Sequence, residues 1–335
     1  MRLVFSFIIS LLPVLAIGQT NDQKAAWADP EVHGQLSTLE NTIIGENGDH
    51  VRLKGGALMD IISYNYREQM ISYLKNTGAN AIRVPIHWGR AGFAGNYGVF
   101  WQRFQQLVDF AIDQNFYVIA DFHAVADPRA PGLESLAETF FTDVAETYGG
   151  TGHILYEVLN EPPGKSNYSS YVPWSAIKSY ATSLIDLIRS IDEQAIVIVG
   201  TPNWSQFVDV AIADPIERPN LVYAFHFYAT LHKFDDKLYD WSREVPIMVT
   251  EWAGQTPENS DGKIDFKSLI QYIEWMNEES VSWLAWSYSD ESQPYGWFYP
   301  GSFADGRVQD RELRSWGRIV LDLLDDSLLN HSVSW

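Results

Sequence analysis

The chain has 335 residues, with 43 Asp+Glu against 23 Lys+Arg, a net charge of −20 and no cysteine. This excludes disulfides, thiolate metal centres, Fe–S clusters and a cysteine nucleophile, and so acidic a surface repels nucleic acid and anionic membranes. The 46% apolar and 20% charged content is that of a globular chain with a large core, and 13 Trp exceed what one core usually takes; aromatic faces lining a cleft are one explanation.

Met1-Arg2, the apolar run Leu3 to Ile17 and the small-x-small triplet Ala16-Ile17-Gly18 precede polar Gln19-Thr20-Asn21-Asp22. That order reads as a cleaved signal peptide over residues 1–18. The alternative is an uncleaved anchor, although a span takes ~20 apolar residues. The mature protein is expected to be secreted, extracellular or periplasmic, with no stable membrane association after cleavage. Asn167, Asn203 and Asn330 open N-x-S/T sequons, which matter only in a host that glycosylates. Residues 19–50 read as a segment closing the bottom of the domain that follows.

Apolar runs rich in β-formers then begin near Val51, Asn80, Tyr117, Ile154, Ile196, Leu221, Ile247 and Val281. They recur at intervals near the roughly 30 residues of a βα unit. They do not alternate, as suits parallel strands buried on both faces. Helical spacing fills the gaps. Met70, Tyr73 and Leu74 share one face, stopped at Gly78; Phe100, Phe104, Leu107, Val108 and Ala111 form another stripe; Leu184, Leu187, Ile188 and Ile191 form a third. Eight strands alternating with helices predict a single-domain (β/α)8 barrel over 51–325, with a short polar tail at 326–335. A doubly wound sheet is the alternative, but no glycine fingerprint opens a helix after the first strand.

Barrel chemistry sits at the C-terminal ends of the strands. Polar and aromatic groups collect there: Arg83, His87 and Trp88 on strand two, Asp121 and His123 on three, Asn160 and Glu161 on four. Asn203 and Trp204 follow strand five, His226 and Tyr228 end six, Glu251 and Trp252 end seven, and Trp286, Ser289 and Asp290 end eight. Glu161 and Glu251 stand out because each closes an apolar strand, where a bare carboxylate needs a partner or a shifted pKa. Strands four and seven face each other across an eight-stranded barrel, so both acids reach one cleft. Paired carboxylates flanking a glycosidic bond are what sugar hydrolysis needs. The plainer reading of either acid is a salt bridge to a neighbouring Arg or Lys. Taken alone, His123 and His226 read more readily as structural hydrogen-bonded residues than as acids or bases, and the tryptophans read as packing, Trp252 above all. A metal site is the rival chemistry, but neither an H-x-H pair nor HExxH is present, so no metal and no cofactor are expected.

The strings LKG at 53–55, YVIADFH, ILYEVLNEP, AIVIVGTPNWSQ, VYAFHFYA, PIMVTEW and SWLAWSYSDES carry a resemblance, from about Leu36 to Ser292, to glycoside hydrolase family 5, the cellulase family, in its bacterial endo-β-1,4-glucanase type. The resemblance implies a retaining mechanism on a polysaccharide, with Glu161 as acid/base and Glu251 as nucleophile. It further implies that Asn160 binds the sugar 2-OH, that Arg83 and Tyr228 hold Glu251 ionised, that His123 and His226 bind hydroxyls and tune the pair, and that Trp204 and Trp286 are sugar platforms. His87 and Trp88 complete the expected substrate-binding set, and a monomer is expected. Three departures touch sugar-binding positions. Met59 stands where the type often has His, His87 where it often has Tyr, and Asp290-Glu291 follow directly where a Lys is usual. They leave β-mannan, mixed-linkage glucan and xyloglucan open beside β-1,4-glucan. A non-catalytic sugar-binding barrel is the alternative of another class.

Overall fold

The computed structural model describes residues 25–89, 95–164, 172–255 and 263–326. The expected signal peptide and the sequons at Asn167 and Asn330 lie outside these residues. Four short strands come first: β1 (Ala26–Trp27), β2 (Ser37–Leu39), β3 (Thr42–Ile44) and β4 (His50–Arg52), with one turn of helix, α1 (Pro30–His33), between β1 and β2. They form a small sheet in the order β1-β4-β3-β2. Eight parallel strands follow and close on themselves: β5 (Lys54–Leu58), β6 (Ala81–His87), β7 (Tyr117–His123), β8 (Ile154–Glu157), β9 (Ile196–Val199), β10 (Leu221–Tyr228), β11 (Ile247–Ala253) and β12 (Ser282–Tyr288). Each is followed by a helix: α2 (Glu68–Asn76), α3 (Tyr97–Asp113), α4 (Leu133–Tyr148), α5 (Trp174–Arg189), α6 (Val208–Ala213), α7 (Lys237–Glu244), α8 (Phe266–Glu278) and α9 (Ser315–Leu324). This is the (β/α)8 barrel that the spacing predicts. No helix among the described residues is long and apolar enough to cross a membrane.

Two local expectations need correction. The run VRLKG is not one strand. Val51 and Arg52 pair with β1 and β3 of the small sheet, and the barrel strand begins at Lys54, where it meets β12. The run hides this division because all five of its residues are buried. Ile191, placed on a helical stripe by spacing, lies past the end of α5 and is 39% exposed.

Two apolar layers hold the barrel. Outside it, the buried faces of the helices pack on outward strand residues such as Val84, Phe122, Phe227 and Trp252. Inside it, Ala81, Tyr117, Ile119, Leu155, Ile198, Val222, Ala224, Met248 and Leu284 form a second cluster, continued below by Leu36, Ile43 and Val51 of the small sheet. Side chains alternate along a strand, so each interior position has a successor two residues on. Those successors are Arg83 after Ala81, Asp121 after Ile119, Glu157 after Leu155, His226 after Ala224, Thr250 after Met248 and Trp286 after Leu284. The inward face of the barrel therefore changes from apolar to polar within one step toward the C-terminal ends.

Candidate active site

Arg83, fully buried, is the hub of this polar layer. Its Nε donates to Glu157 Oε2 at 2.7 Å and its Nη2 to Glu157 Oε1 at 3.1 Å. Nη2 also lies 2.9 Å from Asp121 Oδ2 and donates to Asn160 Oδ1 at 2.6 Å. Nη1 reaches Glu251 Oε2 at 3.3 Å. One guanidinium thus faces three carboxylates. Burial opposes the charge of Arg83, but Asp121, Glu157 and Glu251 outweigh it and hold the group protonated. Burial pushes Asp121 up to about 6 despite Arg83.

Glu251 enters the cleft through a break in strand regularity. Strict alternation would let only one of Thr250 and Glu251 face inward. β11 carries one extra residue against both neighbours, because Ala224 and His226 pair with Met248 and Glu251, and Trp283 and Ala285 with Val249 and Trp252. Such a bulge re-aims side chains, so Thr250 and Glu251 both reach the site. Trp252 turns outward and is fully buried against Phe227, Trp283 and Trp316, the packing role expected of it. Glu251 accepts from the Tyr228 hydroxyl at 2.6 Å as well as from Arg83. Burial, with Glu161 adding repulsion, pushes it up to about 7 against the pull of His226, Arg83 and Tyr228.

Glu161 lies beyond its strand. β8 ends at Glu157, and the Val158–Glu161 segment is held by backbone and side-chain bonds rather than by the sheet ladder alone. Val158 N–H donates to Ile198, Glu161 N–H to Ala124, and Ser205 Oγ to the Asn160 carbonyl at 2.7 Å. Gly200 lets the neighbouring chain pass, since a Cβ there would stand 2.2 Å from the Leu159 carbonyl oxygen. The Glu161 side chain, 15% exposed, places Oε1 3.0 Å from His226 Nδ1. Burial pushes Glu161 up to about 8; Arg83 works against this, and Asp121 and Glu157 with it. Oxygens of Glu161 and Glu251 and a ring nitrogen of His226 lie within 4.8 Å of one another. Three such groups are also a spacing for a cation, but His226 already uses Nδ1 on Glu161 and Nε2 on Thr250, at 2.8 Å.

The histidines and tryptophans divide between cleft and packing. His123 Nδ1 bonds Asp121 Oδ2 at 2.7 Å, and its ring stacks on Trp286 at 5.5 Å between centroids. His87 lies 4.3 Å from His123, centroid to centroid, and its Nε2 bonds the Met59 carbonyl at 2.7 Å. Burial and His123 together push His87 down to about 3. Trp204 sits in a turn where Asn203, Trp204 and Ser205 all have left-handed backbone, with φ of 60°, 55° and 57°. Its ring lies over Gly164, where a Cβ would be 2.1 Å from it, and its backbone N–H donates to the Pro162 carbonyl. The turn therefore ties Trp204 to the loop that carries Glu161. Trp88 is half-buried against the outer core. Asp290 accepts from the N–H groups of Gly301 and Phe303, and Glu291 from the Tyr64 hydroxyl at 2.8 Å, so both acids brace loops.

Sequence reasoning left Glu157 and Thr250 out of the site, although both are fully buried within it. The signal for Glu157 is its place two residues after inward Leu155 in an apolar strand. The strand-end pattern marks Asp121 but not its partnership with Arg83.

A closed (β/α)8 barrel with two close carboxylates, ringed by Arg, His, Asn and Trp at its strand ends, is the apparatus of an O-glycoside hydrolase. The sequence profile of the cellulase family, glycosyl hydrolase family 5, matches residues 44–292. The chain is 32% identical over 323 residues to an endoglucanase of Clostridium saccharobutylicum, covering 94% of this chain and 71% of that protein. It is 32% identical over 290 residues to endoglucanase E-5 of Thermobifida fusca, covering 82% of this chain and 60% of that protein. The catalytic domain of the Thermobifida fusca endoglucanase, solved in complex with cellotetraose, superposes with a TM-score of 0.81 at 31% identity, over 89% of this chain and 99% of that one. The chain belongs to the cellulase family, glycosyl hydrolase family 5. The reaction of that family is hydrolysis of β-1,4 glycosidic bonds.

Proposed function

We propose that this protein is a secreted endo-β-1,4-glucanase that cleaves internal bonds of a cellulose-type glucan with retention of configuration. The observation that carries the reading is the approach of Glu161 and Glu251 to within 4.8 Å. Retaining pairs stand ~5–5.5 Å apart, whereas inverting pairs leave ~6.5–9.5 Å for a water. Glu251 is the nucleophile, because Arg83 and Tyr228 donate to its charged form. Glu161 is the acid/base, because burial favours its neutral form and neither of those donors reaches it.

The glycosidic oxygen takes the Glu161 proton as Glu251 attacks the anomeric carbon, giving a covalent glycosyl-enzyme. Water, deprotonated by Glu161, then releases the sugar and restores both carboxyl groups. Asn160, held by Arg83, binds the 2-OH. The stacked His123–Trp286 pair and Trp204 offer the sugar faces, with His87 and Trp88 at the rim of strand β6. The cellotetraose complex of the Thermobifida relative supports a β-1,4-glucan as substrate. Residues 1–18 supply the export signal, and the acidic surface keeps the exported chain soluble.

Glu251→Gln tests the reading. Release of reducing ends from carboxymethyl-cellulose is expected to fall by at least about 10³-fold, with cellotetraose binding retained in calorimetry. Full activity in that variant would sink the assignment.

A further inference from the structure

Glu157 and Thr250 have no place in the reaction as written, yet they lie behind one of its groups. Thr250 Oγ1 donates to Glu157 Oε1 at 2.7 Å. Burial pushes the Glu157 pKa up, but Arg83 donates to both of its oxygens and favours the charged form; as a carboxylate it can only accept, and the Thr250 proton then points at it. The hydroxyl then has only lone pairs to offer His226 Nε2, 2.8 Å away. Nε2 must therefore carry a proton. In a neutral ring Nδ1 is then a bare acceptor, and the partner of that nitrogen is Glu161 Oε1 at 3.0 Å. A contact between a bare nitrogen and a carboxyl oxygen is a hydrogen bond only when the carboxyl is protonated.

We propose that Glu157, acting through the Thr250 hydroxyl, is a positioning residue that fixes the proton of His226 on Nε2 and so keeps Glu161 in its acid form. The proposal rests on the reading of Glu161 as general acid. It deepens that reading by naming what sets the acid. At 3.9 Å, Glu157 Oε1 is too far to bond His226 Nε2 directly, which makes the hydroxyl the bridge. Burial agrees with a neutral ring, since it pushes His226 down to about 4. The charged and titratable groups around the His226–Glu161 pair are Arg83 from β6, Asp121 and His123 from β7, Glu157 from β8, Tyr228 from β10, His232 beyond it, and Glu251 from β11. None of them removes the constraint, because none bonds His226 Nε2 in place of Thr250.

Thr250→Val keeps shape and strand preference and removes the bridge. The His226 proton is then free to move to Nδ1, where it donates to ionised Glu161 and favours the charged form. The basic limb of the kcat/KM profile on a β-1,4-glucan is expected to move down by about one pH unit, a tenfold loss above that limb. A dinitrophenyl cellobioside, whose leaving group needs no proton, is expected to keep its kcat/KM. Thr250→Ser restores the hydroxyl and is expected to restore the limb. A basic limb unmoved by Thr250→Val, or moved equally by Thr250→Ser, would overturn the proposal. Should the valine variant not fold, nitrogen-15 NMR of the histidine-labelled native enzyme reads the tautomer directly; a neutral His226 with its proton on Nδ1 overturns the proposal and one on Nε2 supports it. These outcomes are separate from the glucanase reading, which stands or falls with the Glu251→Gln assay.

Discussion

The two ends of the barrel put the same eight strands to opposite uses. At the lower end the interior is Ala81, Ile119, Leu155, Ile198, Val222, Met248 and Leu284, closed by Leu36, Ile43 and Val51 of the small sheet. One step up each strand the same interior face carries Arg83, Asp121, Glu157, His226 and Thr250, all almost fully buried. The lower end is stabilised by removing apolar surface from water. The upper end carries three carboxylates on one arginine, plus Glu161, at a desolvation cost that the lower end must offset. Stability and reactivity are separated along the barrel axis by about two residues of strand.

The sharpest way to break this comparison is to damage each end and vary the pH. Arg83→Leu removes the common partner of three buried acids and is expected to cost about 3–5 kcal/mol at pH 7. Ile198→Ala opens a cavity below and is expected to cost about 2–5 kcal/mol. The sizes overlap, but the pH dependence does not. Without Arg83 the acids can escape their penalty by taking protons, so the Arg83→Leu deficit should shrink as pH falls toward 5. The cavity has no titrating group, so the Ile198→Ala deficit should stay flat. Denaturant unfolding at several pH values separates them, and two parallel curves would refute the division.

Activity and stability should move oppositely on the acid limb, below about pH 7, and fall together on the basic one. Hydrolysis needs Glu251 charged and Glu161 neutral, so the rate falls as pH drops through the Glu251 value, near 7, and as it rises through the Glu161 value, near 8. The result is a narrow bell in kcat/KM whose limbs belong to the pair. For stability the sign follows from both pKa values lying above the ordinary 4.5. The folded state binds protons that the unfolded chain has lost, so the stability present below pH 4.5 declines as pH rises toward 8. Glu161→Gln cannot ionise. It should abolish the bell and raise Tm at pH 8 by about 2–4 °C. A lowered Tm in that variant would show that Glu161 is held as a stabilising charge.

The lower end of the barrel was easier to read in the sequence than the upper. Apolar runs at βα spacing reveal strand number and parallel pairing because burial on both faces leaves that mark whatever the side-chain detail. The strand-end rule then brings out Arg83, His123, Asn160, Glu161, His226, Glu251 and Trp286, since a polar group after an apolar run is visible without coordinates. It misses Glu157, which reads as an interior residue of the apolar run ILYEVLN although β8 ends there, and Thr250, which reads as the neighbour of an acid. Recognising Thr250 and Glu251 as joint occupants of the cleft requires the bulge in β11, a register fact that period-two reasoning excludes. The left-handed turn at 203–205 is equally hidden. It contains no glycine, so its conformation comes from the local bond of Ser205 to Thr201 and from tertiary bonds to Pro162 and Asn160.

The smallest expected effect concerns a charged cluster at the lower end, away from any sugar. Trp27 lies beneath two cations, with Arg52 Cζ 3.8 Å and Lys54 Nζ 4.2 Å from its ring centroid. Its indole N–H donates to Asp326 Oδ2 at 3.0 Å, and Lys54 Nζ meets the same oxygen at 3.1 Å. Lys54 is buried, and burial lowers its pKa despite the bond to Asp326. Asp326 is about a third exposed, so solvent screens part of the pair. Asp326→Asn keeps an acceptor for the indole and removes the countercharge. The expected loss is about 1 kcal/mol of stability, with kcat and its pH limbs unchanged. The lysine can also shed its proton, so this deficit should shrink as pH rises, the reverse of the trend for Arg83→Leu. Opposite slopes from one lost cation above and one lost anion below would show that each end responds to its own local charge, while a change in the pH limbs of kcat would show that the ends are coupled through the strands.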